Sequence, residues 1–378
     1  MFGVEPADEP TRYDPRRSDP RETVRQLAEE IGARPATSIA EAKSAAYMDA
    51  RMRRAGLQVA IETFETSAGR GYDVVLLSLL AFGGAVLFYW APLAAVVLLA
   101  ASGVLLVLHD LRVLPPLTAR RARSQNVIGT RATRAPYRTR LVLLAPLDTA
   151  PATPLVMRRI VLLRAVFAVL ALLAALIGNV EVQRSWWYLC LAISGALLLL
   201  ALIEPWLLAR FPAMGAVAHA GALAALVAAV ERAGRLERTE LWVVALGAHT
   251  MGAGLADLLR RYPFDGRTLF VGVEHVGRGG LCVVTAEGLL VPRPADDLLL
   301  RIAAAAGAAP RRIIVRRSST LGGSLLRQGR RALTITCRDA QGRLPLSSEP
   351  RDTPAQIESD VLDQAADLLV AVIQGVEA

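Results

Sequence analysis

The sequence predicts an α/β protein whose sheet is interrupted by two transmembrane helical hairpins, and three observations predict it. From residue 211 onward, apolar runs of strand length alternate with helical patterns. Residues 141–145 (LVLLA) form an unbroken apolar strand that runs straight into Pro146-Leu147-Asp148-Thr149. A buried strand ending in a polar acidic loop is where open α/β sheets place their sites. Two long apolar blocks, within 72–108 and 160–203, stand apart from the rest.

Composition bounds the reading. The chain has 378 residues, 53% of them hydrophobic, with a mean hydropathy of +0.39, and the excess sits in the two blocks. Cys190, Cys282 and Cys337 are scattered and odd in number. They make no disulfide framework and no CxxC metal motif, and read as buried thiols in a reducing compartment. The net charge is +9, yet Lys43 is the only lysine, an arginine bias expected of a GC-rich coding sequence. Residues 1–19 are charged and proline-rich and lack the apolar core of a signal peptide, so they read as a disordered tail.

In order, residues 20–34 have helical spacing, with Val24, Leu27, Ala28 and Ile31 on one face. Residues 37–55 continue as a second helix, stopped at Gly56, and 57–64 alternate as a strand. The first apolar block divides at Trp90-Ala91-Pro92 into halves that are each long enough for a bilayer core, which takes roughly 20 residues. Neither half shows the polar face of a soluble helix. His109, at its end, reads as an interfacial residue. A short strand follows at 126–130, then the apolar strand at 141–145. The second block runs over 160–180 and 186–203, before Glu204-Pro205, with Trp186, Trp187 and Tyr188 as an aromatic belt. Arg164 lies near one end, where it can snorkel.

The remaining elements are a helix of small residues at 213–233, strands at 240–246, 268–273 and 281–285, and helices at 252–262 and 295–306. Short strands at 312–315 and 332–336 follow. A closing helix at 355–376 starts after the cap Asp352-Thr353-Pro354. The organisation predicted is a tail (1–19), α/β segments (20–71, 113–157 and 211–378) and hairpins at 72–112 and 158–210. Arg70, Arg112, Arg120, Arg121, Arg123, Arg158, Arg159 and Arg210 flank the non-membrane side, whereas the hairpin tips carry only Arg184. This asymmetry predicts a multi-pass protein of the cell membrane with four spans, both termini and the α/β domain being cytoplasmic.

Asn126-Val127-Ile128-Gly129, followed by the apolar strand and Ala145-Pro146-Leu147-Asp148, resembles the M28 family of zinc aminopeptidases. There an NVIG segment and an apolar strand lead into A-H-x-D-S. The first helices and Ala55-Gly56-Leu57-Gln58-Val59 are similar too, and the resemblance runs from about residue 34 to 376. It implies a three-layer fold with a mixed central β-sheet. It also implies two zinc ions held by His, Asp, Glu, Asp or Glu, and His, with a second Glu as general base. The first ligand position falls on Pro146, with Asp148 where the family keeps an orienting carboxylate. The bridging position falls on Ala218, the base on His249 and its neighbouring ligand on Thr250. The fourth ligand falls on Glu274 and the fifth on Gly322.

Glu274 alone cannot hold zinc, since hydrolysis needs at least three protein ligands and an open water position. The expectation is therefore a catalytically inactive membrane-bound homologue with no metal or other cofactor, binding a peptide or a membrane protein partner. Asp148, His219, His249, Glu274 and His275 would line a vestigial pocket. One alternative is an active hydrolase in which those residues rebuild a zinc site. Against it, His219 and His275 sit one residue beyond ligand positions, where side chains point elsewhere. Another alternative is a membrane scaffold, with Gly83-Gly84, Ser102-Gly103 and Ser194-Gly195 permitting close helix packing. Other signals are weaker. Gly277-Arg278-Gly279-Gly280 lacks the spacing of a phosphate loop. Ser318-Ser319-Thr320 has no positioned base. The basic strand at 311–317 lacks interleaved aromatics, which argues against nucleic acid and for a solvated edge or anionic lipid.

Overall fold

A mixed β-sheet organises the computed structural model, which describes residues 19–67, 71–110, 117–133, 136–150, 155–181, 184–209, 212–288, 291–306, 311–315, 320–347 and 349–378. The expected tail lies, except for Asp19, outside the described residues. So do Ser318, Ser319, Arg316 and Arg317, and the flanking Arg70, Arg112 and Arg210.

The described residues open with α1 (Pro20–Arg25), capped by the Asp19 carboxylate, and a π-helical turn, Gln26–Ile31. α2 (Ile39–Arg54) starts at Ser38, whose hydroxyl accepts from the Glu41 N–H. β1 (Gln58–Ser67), α3 (Asp73–Leu87), α4 (Pro92–Asp110), β2 (Arg121–Arg131) and β3 (Thr139–Pro146) follow. Next come α5 (Leu155–Glu181), α6 (Arg184–Ala209), a second π-helical turn (Ala216–Ala220), α7 (Gly221–Arg232), β4 (Thr239–Leu246) and a 3₁₀ turn (His249–Met251). The rest is α8 (Ala253–Arg261), β5 (Thr268–Val273), β6 (Gly280–Glu287), β7 (Arg293–Pro294), α9 (Asp297–Ala305), β8 (Arg311–Val315), α10 (Leu321–Arg327), β9 (Arg331–Arg338) and α11 (Ser359–Glu377).

The strand order is β1-β2-β4-β3-β5-β9-β6-β7, with β8 also on β6. β4, β3, β5 and β9 run parallel, while β1, β2 and β6 join antiparallel. Strand alternation divides the core. Leu141, Leu143 and Ala145 face a cluster with α1, α2, α7, α9 and α11, and Val142 and Leu144 face α8 and α10. β3 leads to β4 through α7 on one face of the sheet, and β4 leads to β5 through α8 on the other. The loops leaving these adjacent strands therefore diverge where the strand order reverses, which is where such sheets form a crevice.

Helices α3 to α6 pack on one another around small side chains, among them Ala81, Ala85, Ala95, Ala171, Ala174 and Ala175. Their outer faces are apolar: Leu93 is 71%, Val97 67% and Leu162 66% exposed. Two stretches, Pro92–Asp110 and Ser185–Leu207, are long and apolar enough to cross a membrane, whereas Asp73–Leu87 and Leu162–Ile177 are shorter apolar stretches among the described residues.

Several expectations need correction. The strand expected at 126–130 begins earlier, at Arg121, because β1 pairs with it over its whole length. α6 does not stop at Glu204-Pro205 but carries Pro205 inside it to Ala209. Arg164 does not snorkel: it is fully buried, bonded to Asp110 at 2.6 Å and to Glu204. His109, in the last turn of α4, is buried, with Nδ1 3.8 Å from Asp73. Gly84 allows a close approach, since a Cβ there would meet Leu98 Cβ at 3.1 Å, but that contact is within this chain's own helical unit. The closing helix starts at Ser359, after a 3₁₀ turn at Pro354–Gln356, and Asp352 does not cap it.

Candidate functional site

The crevice lies at the C-terminal ends of β3, β4 and β5, where three loops meet. Asp148, fully buried just past β3, accepts from the His249 N–H at 2.6 Å, the Thr250 N–H at 3.1 Å and the Thr250 hydroxyl at 2.6 Å. The turn it holds is unusual, because Ala248 has φ +43°. At the end of β5, His275 has φ +53°. Non-glycine residues in this region are uncommon and concentrate at functional sites. The third loop enters the π-helical turn through Gly215, whose φ is +65°.

The structure brings His219, His249, Glu274 and His275 to the same end of the sheet. His249 Nε2 lies 3.9 Å from a Glu274 oxygen, and the rings of His219 and His275 are 6.1 Å apart. Nδ1 of His219 and Nδ1 of His275 are buried without a hydrogen-bond partner. Burial, with the neighbouring His275 and His249, holds His219 neutral, its pKa well below the ordinary value. Burial and the Arg338 charge push His275 down to about 3. Burial and the nearby Glu287 push Glu274 up to about 8, against an opposing hydrogen bond from the Leu321 N–H. At neutral pH His219 and His275 are thus neutral rings and Glu274 is a largely protonated carboxyl.

Fully or nearly buried residues that the motifs did not single out as site residues complete the loops. Asp352 accepts from the Val217 N–H at 2.6 Å and the Ala218 N–H at 3.1 Å. Glu41 accepts from the Ala248 N–H at 2.7 Å and the Ser124 hydroxyl at 2.9 Å. Glu287 accepts from the hydroxyls of Thr320 and Thr334. The Arg34 guanidinium donates to the carbonyls of Leu147 at 3.2 Å and Gly215 at 3.4 Å. Asn126 of the NVIG segment accepts from the Gly247 N–H at 3.1 Å and donates to the Gly254 carbonyl at 3.0 Å, which fixes the turn after β4. The spacing of Ser38 and Glu41 is a capping-box signal, but Glu41's reach to Ala248 has no local signature.

Comparison with solved structures places the fold. The chain is similar to BSAP, a zinc aminopeptidase from Bacillus subtilis, with a TM-score of 0.58 at 14% identity over 94% of this chain and 93% of that one. An aminopeptidase from Aneurinibacillus sp. strain AM-1 gives a TM-score of 0.57 at 14% identity, over 94% and 92%. Glutaminyl cyclase from Porphyromonas gingivalis gives 0.53 at 12% identity, over 94% and 96%. The chain has an M28 aminopeptidase-like fold. No family model and no curated protein matches the sequence.

On this fold the expected metal is zinc, and the residues present do not fit it. A Cβ at Gly322, on which the fifth ligand position falls by resemblance, would overlap Thr334 Oγ1 and lie 3.2 Å from the Leu333 carbonyl carbon, so a side chain there would have to displace Thr334 and crowd the β9 backbone. The side chains of Pro146 and Ala218 have no ligand atom for a metal, and the Thr250 hydroxyl, a neutral and weak ligand, is oriented by the bond it donates to Asp148. Among the described residues, no group of three or more His, Cys, Asp or Glu is arranged to hold a metal ion. The Thr320 hydroxyl faces the Glu287 carboxylate but also caps α10, accepting from the Gly323 N–H at 2.9 Å.

Proposed function

We propose that this chain is a membrane-anchored, non-catalytic relative of the M28-type aminopeptidases, and that its site binds a peptide or a partner protein. The observation that carries this reading is the use made of the site's carboxylates. Asp148, Asp352 and Glu41 each accept from backbone N–H groups of the loops around the crevice. A carboxylate that already takes two or three protein donors has little of its acceptor capacity, about four lone-pair sites, left for an ion. The loops that a metal would organise are organised by internal hydrogen bonds instead.

Anchoring through four spans is supported by the apolar outer surface of α3 to α6, where large hydrophobic side chains such as Leu76, Leu93, Val97, Leu162 and Leu199 are exposed. It is also supported by the small-residue packing inside. α5 is helical over 27 residues, more than a bilayer core of roughly 20 requires. α3 is shorter, at 15 residues, with Tyr72 and Tyr89-Trp90 suited to the interfaces at its ends. The arginine asymmetry of the flanks supports a cytoplasmic α/β domain.

The purified protein, reconstituted in vesicles with added zinc, tests this reading. It should resist alkaline extraction and should turn over neither aminoacyl-arylamide nor N-terminal glutaminyl substrates. Turnover that is lost in Glu274→Ala would overturn the non-catalytic reading, and extraction into the supernatant would overturn anchoring.

A further inference from the structure

Both helical pairs leave the sheet by the same edge, and it is the edge that carries the site. β2 runs antiparallel to β4, with Val127 opposite Ala245, so the residues of β2 before Val127 project past the C-terminal end of β4. β1 follows it outward until Ser67 pairs with Arg121, and α3 and α4 are inserted between these two residues. The neck is closed where the Tyr72 N–H donates to Thr118 Oγ1 at 2.6 Å and Asp73 accepts from the N–H groups of Leu117 and Thr118.

The second pair leaves from the mouth itself. Thr149 and Leu155, the first residue of α5, are six peptide steps apart, as are Ala209, the last residue of α6, and Gly215. Six extended steps reach at most about 21 Å. The two chain ends depart side by side: a Cβ on Gly215 would meet Thr149 Cγ2 at 2.5 Å. Arg34 ties them together, its N–H donating to Thr149 Oγ1 at 2.8 Å while its guanidinium bonds the carbonyls of Leu147 and Gly215. The opposite ends of the parallel strands, at Thr139, Thr239 and Thr268, lie a strand length away, roughly 25 Å for eight residues.

We infer that the mouth of the site faces the membrane surface and takes an internal polypeptide segment emerging from the bilayer. The inference rests on the anchoring and binding reading above. The chemistry of the mouth selects the occupant. An α-ammonium group calls for a carboxylate with acceptor capacity to spare, and Asp148, Asp352, Glu41 and Glu287 each already take two or more protein donors. The buried, unpartnered Nδ1 atoms of His219 and His275 suit the neutral amides of a peptide backbone.

Single cysteines test the geometry in the full-length protein reconstituted in phosphatidylcholine vesicles. Met251→Cys lies in the turn beside His249 and Thr250, and Gly266→Cys lies in open space before β5, at the far edge. The native cysteines are buried, so the unsubstituted protein gives the background. The probe is a synthetic single-span peptide whose short Gly/Ser stub ends in a maleimide, and coupling is normalised to a soluble maleimide. Met251→Cys should couple about tenfold faster than Gly266→Cys, because confinement to the membrane raises the local concentration at the mouth. Equal coupling, or faster coupling at Gly266→Cys, in protein that floats with the vesicles overturns this inference alone. Protein that does not float overturns the anchoring on which it rests.

Discussion

The molecule buries charge in two places and satisfies it in two different ways. Among α3 to α6, charge meets charge: Arg164 of α5 bonds Asp110 of α4 at 2.6 Å and also bonds Glu204 of α6. In the mouth of the α/β domain, carboxylates meet backbone: Asp148 takes the N–H groups of residues 249 and 250, and Asp352 those of 217 and 218. The difference follows from what the backbone has to give. A helix interior has used its N–H groups on its own carbonyls, so a buried ion there needs a counter-ion. Loops entered through Gly215 and Ala248, both with positive φ, leave consecutive N–H groups pointing outward, and such nests receive anions.

The largest effect is expected where charge depends on charge. Arg164→Met strands two carboxylates and should cost about 3–5 kcal/mol, read as a lower unfolding midpoint in detergent. Adding Asp110→Leu and Glu204→Leu to it should recover most of the loss. A triple variant as unstable as the single one would show that the three groups do not act as a unit. In the mouth, Asp148→Ala removes charge-assisted bonds but leaves N–H groups that water can reach. It should cost about 2–3 kcal/mol, with Asp148→Asn milder, since one oxygen still accepts.

The mouth should also show a pH dependence. A carboxyl whose pKa is raised by folding keeps in the folded state a proton that the unfolded chain has lost. Its contribution is full below the unfolded value of 4.5 and is lost as pH rises to the folded value, about 8 for Glu274 and about 7 for Glu41. The depressed histidines act in the opposite sense, but only below their unfolded value of 6.5, where falling pH removes stability. Between pH 7 and 8 Glu274 should therefore dominate, with stability falling by about 1 kcal/mol per pH unit. Melting curves at pH 7 and 8 should show that fall in the natural protein and a flatter profile in Glu274→Gln. An unchanged slope would remove Glu274 from the account.

The smallest effect contrasts two adjacent glycines of α3. Gly84→Ala brings a methyl to 3.1 Å from Leu98 Cβ and should destabilise by about 1 kcal/mol. Gly83→Ala meets nothing within 4 Å and should be neutral or slightly stabilising, through helix propensity. Unfolding of the two variants side by side in detergent checks this.

Much of the architecture was legible because it rests on local pattern. The apolar run at 141–145 and the strand at 268–273 have one structural solution each, and the glycine and proline punctuation set most helix ends to within a few residues. What escaped was non-local. Arg164 looks like a snorkelling residue until the helices that bring Asp110 and Glu204 beside it are placed. Asp352 before Thr353-Pro354 reads as a helix cap, yet its partners are Val217 and Ala218, some 135 residues away. Arg34 carries no motif of its own and Glu41 only the capping-box spacing from Ser38; their roles in the site appear only when the loops after β3 and β4 are folded onto them. That Gly322 offers no ligating side chain is plain in the sequence, but its close contact with β9 at Thr334 is not.

On the proposed reading, buried carboxylates, and not a metal, organise the loops of the site on this aminopeptidase-like fold. Elemental analysis of the full-length protein, purified without chelator and equilibrated with zinc before desalting, tests it most directly. The account predicts well under one zinc per chain and the same value in a His249→Ala/Glu274→Ala variant. One or two zinc ions per chain, lost in that variant, would contradict it.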